Sequence, residues 1–453
     1  MKLLLSLFAT LLISIFAPGP EYLVFGQEEG EGAGQEQSIP DVNLSLGGDI
    51  PIVGDPTLSV ETVAEGLEFP TTMAFLGPND ILVLEKEKGT VQRIVNGKML
   101  PEPILDVNVG ASQERCMCGI VVSKSTPGHT YVFLYYTETD STDREDIAEG
   151  NDPIGNRLYR YELVNDKLVN PKLLLDLPAT PGPRHNGGAL VIGPDNNLYI
   201  PIGDVDGTYQ SEEFETLTQN FPEGVEADGR SGILRITLDG EPVSSSGIIG
   251  DETPLNLYYA YGVRNSFGIN FDPITGNLWD TENGPGESDE INLVEPGFNS
   301  GWVQVQGMAS SSNNNNIESE DENNRDFASG NLVDFDEKGK YSNPEFVWSI
   351  TLGPTAIIFL HSDKLGELYQ NDIFVGSIVT GNIYHFELNQ DRTQFVLTGE
   401  LEDKIAETRE TGEQDIVFGE GFAGISDLAV GPDGYLYVVS LGQGKIFRIV
   451  PSN

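Results

Sequence analysis

The chain repeats one strand-hairpin pattern six times, and each copy has a turn, an aliphatic or aromatic run, a break and a second run. In the first copy the turn Pro78-Asn79-Asp80 precedes ILVLEK, and VQRIV follows after Gly89. Period-two alternation beside Asn-Gly or Asp-Gly turns predicts β-hairpins. The turns of the later copies lie at 127–129, 194–197, 273–276, 370–372 and 432–434.

The spacing of these copies predicts a radial array of one repeated unit. They begin about 50 to 100 residues apart, which is too irregular for a solenoid of identical coils but suits propeller blades joined by variable loops. The 52 glycines and 27 prolines, without a long run of helical period, favour turn-rich all-β structure. The sequence therefore predicts a six-bladed β-propeller with four-stranded antiparallel blades around a central channel.

The N-terminus has the features of an export signal. Lys2 is followed by LLLSLFATLLISIF, an apolar region of about 14 residues, which is short for a membrane span. We expect residues 1–26 to be a signal peptide and the protein to be secreted or extracytoplasmic. An uncleaved segment that tethers the protein to a membrane is the alternative. No other stretch of the sequence is long and apolar enough to cross a bilayer.

Two further segments have compositions that do not favour a packed core. Residues 27–57 contain seven acidic residues and no lysine or arginine, which predicts an acidic disordered linker before a propeller domain at 58–453. Residues 310–326 include four consecutive asparagines and an acidic cluster, and they are predicted to be a low-complexity insertion in a surface loop.

The charge of the chain excludes one class of partner. There are 25 basic and 71 acidic residues, giving a formal net charge of −46. Nucleic-acid binding needs clustered lysine and arginine, so we expect no nucleic-acid partner. A solvated acidic surface explains most of this charge, and it would also suit a cationic partner or bound metal ions.

The two cysteines, Cys116 and Cys118, are separated by one residue. An extended pair at this spacing holds its Cα atoms too far apart for easy disulfide formation, so we expect no disulfide. Cys-Met-Cys also presents soft ligands that suit copper. The sequence leaves open whether the thiols bind metal or are packed and inert.

Three turn segments place polar residues at strand ends, where a propeller directs them toward its channel: Arg184–Gly188, Tyr261–Gly268 and Thr281–Pro285. His185 is one of four histidines, and its side chain can exchange a proton near neutral pH. Arg264 offers a planar fork of donors suited to carboxylate or quinone oxygens. The carbonyls of Gly284 and Pro285 are hard oxygen ligands, which Ca²⁺ prefers. A turn-capping histidine, a surface arginine and an acidic turn would explain the same residues.

These segments carry a specific resemblance. HNGGALVIGPDNNLYIPIGD, YGVRNSFGINFDPITGNLW and TENGPGESDEINLVEPGFNSGW resemble the signature segments of the soluble PQQ-dependent glucose/sorbosone dehydrogenase family, which includes soluble glucose dehydrogenase and the aldose sugar dehydrogenases. The resemblance runs from about Val63 to Val450. It implies a six-bladed propeller and an oxidoreductase that acts on an aldose sugar or related alcohol, with PQQ and Ca²⁺ as cofactors and an external electron acceptor.

The resemblance also implies roles for individual residues. His185 matches the family's catalytic base, and Arg264 and Asn265 match the pair that contacts the quinone cofactor. Glu114 matches the glutamate of a blade-one segment and is expected at the cofactor. The carbonyls of Gly284 and Pro285 match the Ca²⁺ ligands. The implied chemistry is removal of the anomeric hydroxyl proton by the base while hydride passes to the quinone.

The chain departs from the family where cations are expected. A lysine-containing turn is replaced by Ser377–Gly381, and an arginine pair is replaced within Gly424–Asp427. Those cations would neutralise the carboxylates of PQQ, and Arg184, Arg115 and Lys364 are the candidates to compensate. The alternative function is therefore a non-catalytic propeller that binds a glycan or a protein through its channel face.

Overall fold

The computed structural model describes residues 50–124, 126–140, 153–207, 211–309, 332–408 and 412–452. The predicted signal peptide at 1–26, most of the predicted linker and the predicted insertion at 310–326 lie outside the described residues. No helix within the described ranges has the length and apolar character needed to cross a membrane.

The described residues form 29 strands, with only short helices between them. The strands are β1 Ile52–Val53, β2 Leu58–Glu65, β3 Pro70–Gly77, β4 Asp80–Glu85, β5 Thr90–Val95, β6 Lys98–Met99, β7 Leu105–Asp106, β8 Met117–Ser123, β9 Tyr131–Glu138, β10 Gly155–Val164, β11 Lys167–Leu177, β12 Val191–Ile192, β13 Asn197–Ile202, β14 Gly232–Thr237, β15 Tyr258–Tyr261, β16 Ser266–Phe271, β17 Leu278–Glu282, β18 Asp289–Val294, β19 Phe298–Asn299, β20 Lys340–Tyr341, β21 Phe346–Trp348, β22 Pro354–Phe359, β23 Ile373–Ser377, β24 Ile383–Phe386, β25 Ile405–Ala406, β26 Val417–Glu420, β27 Ile425–Val430, β28 Leu436–Ser440 and β29 Lys445–Pro451. The helices are the α-helix Glu413–Ile416 and the 3-10 turns Glu212–Phe214, Leu217–Gln219, Leu255–Leu257, Glu367–Tyr369 and Gly399–Leu401.

These strands make six sheets, numbered I to VI along the chain by their first inner strand. The strand orders are β3-β4-β5-β6 with β7 on β5 (sheet I), β8-β9-β10-β11 (sheet II), β12-β13-β14-β15-β19-β20 (sheet III), β16-β17-β18-β21-β25 (sheet IV), β22-β23-β24-β26-β1 (sheet V) and β27-β28-β29-β2 (sheet VI). The predicted all-β propeller class is confirmed.

The six hairpins predicted from the sequence are the second and third strands of the six sheets. The second strands of sheets I, II, III, V and VI are mostly apolar on both faces because each sheet packs between two neighbours; in β4, for example, Ile81 through Leu84 are all at most 2% exposed. A half-exposed strand would alternate strictly between apolar and polar residues, whereas these strands have near-continuous apolar runs.

The first strand of each sheet places the candidate functional residues. Contacts between neighbouring sheets run through these strands: β3 contacts β8, β16 contacts β22, and β27 contacts both β22 and β3. Gly119 of β8 also lies against the carbonyl of Gly188, just before β12. The segments that enter these inner strands therefore meet at one end of the ring, and they include the first two polar turn segments. The third, at the end of β17, lies at the same end because β17 pairs antiparallel with β16.

The ring is closed by the N-terminal strand of the propeller. Strand β2 pairs antiparallel with β29, from Leu58 opposite Pro451 to Glu65 opposite Lys445. Sheet VI is thus built from both ends of the propeller sequence. Because residues 66–69 connect β2 directly to β3, this pairing holds sheet VI beside sheet I.

Two details of the sequence prediction are wrong. Among the described residues only sheets II and VI have four strands, and the others gain edge strands, some of them parallel, such as β19 on β15 and β25 on β21. The predicted linker at 27–57 also extends too far, because β1 pairs with β26 and adds the segment after residue 50 to sheet V. Two-residue edge strands have no period-two pattern of their own, so the sequence could not indicate them.

Removing β2 should open the ring. A chain that begins at Gly66 lacks β1 and β2, whereas a control chain that begins at Ile50 keeps both. We expect the shorter chain to unfold less cooperatively and at a midpoint lower by more than about 10 °C, because β29 loses its partner along the whole strand. Scanning calorimetry measures both quantities, and equal midpoints for the two chains would contradict the closure.

Candidate functional site

His185 lies at the end of the ring where the inner strands begin, and it is 5% exposed. Its Nδ1 is 2.5 Å from Oδ1 of Asp204. Its Nε2 has no hydrogen-bond partner among the described residues. The backbone of His185 is left-handed, with φ 61°, and Gly187 follows with φ 69°. A Cβ atom on Gly187 would lie 2.2 Å from the carbonyl oxygen of Pro201, so this turn requires glycine.

Asp204 orients the histidine and is itself held in place. It is 1% exposed, and its Oδ2 accepts a hydrogen bond of 3.0 Å from the indole Nε1 of Trp302. Its backbone N–H donates to the carbonyl of Arg264. Because a carboxylate that accepts from Nδ1 leaves Nε2 unprotonated in the neutral imidazole, the pair presents a base at Nε2.

Glu114 connects three sheets through one oxygen atom. Its Oε2 accepts from the backbone N–H of His185 at 2.6 Å and from Nδ2 of Asn265 at 3.4 Å. Glu114 lies just before sheet II, while His185 and Asn265 precede the first strands of sheets III and IV. The carboxylate therefore fixes the separation between the candidate base and the candidate cofactor-binding amide.

Arg264 and Asn265 have polar atoms that no described residue satisfies. Arg264 Nη1 donates to the carbonyls of Asn283 and Gly284 at 2.9 and 3.0 Å, and the guanidinium lies 5.3 Å from the ring centroid of Trp302. Arg264 Nε and Asn265 Oδ1 are buried without a hydrogen-bond partner among the described residues. Buried polar atoms normally have partners, so both atoms are available to a ligand.

The Gly284-Pro285 turn lies next to Arg264. The carbonyl oxygen of Gly284 faces the guanidinium, and a Cβ atom on Gly284 would lie 1.9 Å from the carbonyl oxygen of Glu287. Pro285 is exposed. Within the described ranges no group of three or more His, Cys, Asp or Glu side chains is arranged to hold a metal ion. A Ca²⁺ at this turn would therefore depend on backbone carbonyls.

Each of the three turns is held by a buried or partly buried carboxylate that accepts from a backbone N–H. The N–H and carboxylate pairs are His185 with Glu114, Arg264 with Glu282 and Gly284 with Asp289. Burial raises the pKa of Glu282 to about 7, although the Arg264 N–H and the Ser300 hydroxyl stabilise its charged form. Burial also raises the pKa of Asp289. The sequence alone indicates an acidic turn here, but not that its carboxylates fix the turns through backbone N–H groups.

The expectation that Cys116 and Cys118 would not form a disulfide is wrong. They are joined by a disulfide with a Cα–Cα distance of 5.2 Å. This distance lies inside the normal range because the pairing of β8 with β9 shifts register between Met117 and Gly119, which takes the backbone out of full extension. The bridge leaves no thiolate for copper.

The cations that could have compensated for the missing lysine and arginines are engaged elsewhere. Arg115 is 1% exposed and donates to the carbonyls of Ala179 and Gly182. Arg184 pairs with Asp206 at 3.1 Å. Lys364 follows the far end of β22, away from the end where the inner strands begin.

Apolar and acidic side chains stand where the missing cations were expected. Ile378 and Val379 pack against Gly353 at the start of β22. Ile425 is fully buried, and Asp427 accepts hydrogen bonds of 2.9 Å from Met73 N and Thr72 Oγ1. This side of the site therefore offers little to neutralise a carboxylate ligand.

Residues 67–448 match the glucose/sorbosone dehydrogenase family. The chain belongs to this family. It is 24% identical to the aldose sugar dehydrogenase of Escherichia coli over 399 residues, covering 88% of this chain and 94% of that protein. It is 31% identical to quinoprotein glucose dehydrogenase B of Acinetobacter calcoaceticus over 241 residues, covering 50% of this chain and 46% of that protein.

A solved structure gives the same fold. The PQQ-bound aldose sugar dehydrogenase of Streptomyces coelicolor superposes with a TM-score of 0.59 at 22% identity, covering 88% of this chain and 99% of that one. At this identity the likeness supports the propeller fold alone. The resemblance seen in the three sequence segments thus extends over nearly the whole propeller.

The residues at the reacting end of the site fit a quinone cofactor. Arg264 Nε and Asn265 Oδ1 are buried and unpartnered among the described residues, and both can meet polar ring substituents. The segment of His185, whose Nε2 is unpaired, is joined to the segment of Asn265 through the carboxylate of Glu114. The segments that carry the candidate base, the guanidinium and the amide are thus joined through Glu114, and among the described residues Ile378, Val379 and Ile425 stand where further cations were expected.

The buried carboxyl of Asp427 makes stability depend on pH. Burial raises its pKa to about 7 from a usual value near 4, so the folded protein binds a proton here that the unfolded chain releases. The protonated carboxyl should therefore contribute to the free energy of unfolding at low pH, and this contribution should be lost as pH rises through about 7. Because the loss is progressive between about pH 4 and pH 7, we expect the stability advantage of Asp427→Asn over the wild type to be larger at pH 8 than at pH 5, by on the order of 1–3 kcal/mol.

Urea unfolding at both pH values measures this difference. Asp391→Asn changes an exposed aspartate and serves as the control, which should show no such dependence. Equal effects of Asp427→Asn at pH 5 and pH 8 would contradict a raised pKa.

Proposed function

We propose that this protein is a quinoprotein oxidoreductase that oxidises an aldose sugar or a related alcohol, with PQQ and Ca²⁺ as cofactors. The observation that carries the proposal is the pairing of His185 with Asp204, which leaves Nε2 unpaired in a segment that Glu114 joins to Asn265, next to Arg264 in the chain. Membership of the family and the quinoprotein relative support the same reaction class.

His185 acts as the base in this proposal. Asp204 accepts a hydrogen bond from Nδ1–H and stabilises the imidazolium that forms when Nε2 takes a proton from the substrate hydroxyl. Trp302 holds the other oxygen of Asp204, so the carboxylate cannot rotate away without losing that hydrogen bond. Glu114 fixes the backbone of His185 and thereby sets the direction in which Nε2 points.

Arg264 and Asn265 would hold PQQ, and Glu114 lies behind the Asn265 amide. When bound, PQQ would supply the electrophilic quinone that accepts a hydride equivalent, which carries two electrons and one proton. Arg264 would contribute positive charge near the quinone oxygens, and its contact with Trp302 keeps the guanidinium oriented.

The Ca²⁺ site is part of the same proposal. The carbonyls of Gly284 and Pro285 would hold the ion. The Gly284 oxygen already accepts from a cationic group, Arg264 Nη1, and Asp289 fixes the N–H of Gly284. A bound Ca²⁺ would replace the guanidinium at this oxygen and leave Arg264 to the quinone.

We extend the proposal to the remaining features of the protein. Each of the six sheets is counted as one blade of a six-bladed ring. Residues 1–26 are proposed to direct export, with a tether to the membrane if they are not cleaved, and an external acceptor is proposed to take the electrons.

A second function is favoured by one observation. Ile378, Val379 and Asp427 stand where cations would neutralise the carboxylates of PQQ. A propeller that has lost cofactor binding and holds a glycan or a protein at its channel face would be built in this way. PQQ binding separates the two functions, because only the enzyme needs it.

Replacement of His185 tests the proposed base. After incubation with PQQ and Ca²⁺, His185→Ala should reduce kcat with an aldose and an artificial electron acceptor by about 10²- to 10⁴-fold, since a positioned base contributes that much. His361→Ala removes an exposed histidine and should leave kcat unchanged. Undiminished turnover of His185→Ala would refute its role, and absence of PQQ binding and turnover in the wild type would favour the binding propeller.

Replacement of Arg264 tests the cofactor contact. Because a hydrogen bond to a charged group contributes about 1.5–3 kcal/mol, Arg264→Ala should weaken PQQ binding by about 10- to 150-fold. Arg160→Ala removes an arginine that pairs with Asp239 outside the site and serves as the control. Titration of PQQ followed by its absorbance gives both affinities, and equal affinity for Arg264→Ala and wild type would place the cofactor elsewhere.

A further inference from the structure

The segment that carries Glu114 has no regular secondary structure. It lies between β7 and β8, and Gln113 adopts a left-handed backbone with φ 49°. A side chain on such a segment would normally be poorly fixed. Glu114 nevertheless has to hold one oxygen within hydrogen-bond distance of His185 N and Asn265 Nδ2 at the same time.

Two anchors that directly follow Glu114 in the chain fix this segment. Arg115 is buried, and its guanidinium donates to the carbonyls of Ala179 and Gly182, in the loop that leads to His185. The other anchor is the Cys116–Cys118 disulfide at the start of β8. Sγ of Cys118 lies 3.8 Å from the carbonyl oxygen of Glu114, so the bridge packs over the backbone of this residue.

The disulfide also contacts the turn that carries the base. A Cβ atom on Gly188 would lie 2.4 Å from Cβ of Cys118, so Cys118 lies directly against the turn that follows His185. A bridge across two residues closes a very short loop and removes little entropy from the unfolded chain. Its effect is therefore local, on the segments that it touches.

We propose that the Cys116–Cys118 disulfide is a positioning element for the active site, which holds Glu114 and through it the backbone of His185. The inference rests on the proposed function for its effect on turnover, but its structural part does not. The two cysteines act through Glu114 and do not touch the reacting atoms.

Hydrogen exchange tests the structural part without cofactor or substrate. Dithiothreitol reduces the bridge by thiol–disulfide exchange: the two cysteines gain two electrons and two protons, and dithiothreitol becomes a cyclic disulfide. Amides at 184–188 should then exchange at least about tenfold faster, because His185 N loses a fixed acceptor. Amides of β23 and β28 should be unchanged.

Matched variants separate positioning from general stability. Cys116→Ser/Cys118→Ser should match the reduced wild type and show no further response to dithiothreitol; if this variant fails to fold, the reduced wild type alone decides. Glu114→Ala should give fast exchange at 184–188 even with the bridge intact. Glu114→Gln keeps an acceptor oxygen and should restore most of the protection.

The effect on turnover is measured with PQQ and Ca²⁺ present. Reduction should lower kcat by about tenfold with little change in KM, while the unfolding midpoint moves by only a few degrees. Unchanged exchange at 184–188 after reduction, or faster exchange throughout the protein, would overturn the inference. Faster exchange confined to 184–188 in a protein without any turnover would support the positioning role and count against the proposed function.

Discussion

The pairing of β2 with β29 is the interaction on which the remaining structure depends. It joins the two ends of the propeller sequence into sheet VI and places this sheet between sheets V and I. The disulfide spans only two residues, so it cannot hold distant parts of the chain together. Only in a closed ring do the entrances to β8, β12 and β16 face a common point, and that point is the site.

Buried or partly buried carboxylates hold the turns of the site together, as the closing strand holds the ring together. Glu114, Glu282 and Asp289 each accept from the backbone N–H of a different turn, and each comes from another segment of the chain. Hydrogen bonds to charged groups are stronger than neutral ones and are directional, so they fix turns that have no regular secondary structure. The cost is desolvation, which raises the pKa of Glu282 and Asp289. Part of the large acidic excess is therefore structural.

The sequence predicted the features that repeat locally and missed those that depend on distant contacts. All six hairpins could be recognised because turn residues and apolar runs are adjacent in the chain. The partner of His185, Asp204, could not be recognised, because Asp204 is held by Trp302, which lies 98 residues after Asp204 in the chain. Asp204 does lie two residues after β13, in the segment that follows the histidine motif, and this position was the available signal. The disulfide was missed because a register shift at Met117 is not visible in composition or spacing.

The site divides into two halves with different physical tasks. Sheets II to IV supply the candidate base, the amide and the guanidinium, each fixed by a carboxylate. Sheets V and VI supply apolar side chains such as Ile378 and Ile425, and these cannot neutralise charge on a ligand. The first half sets what chemistry is possible, whereas the second sets what charge the bound group can carry. A ligand with carboxylates would therefore owe most of its electrostatic attraction to Arg264 and to a bound cation, so cofactor affinity can change between relatives while the reacting geometry is kept.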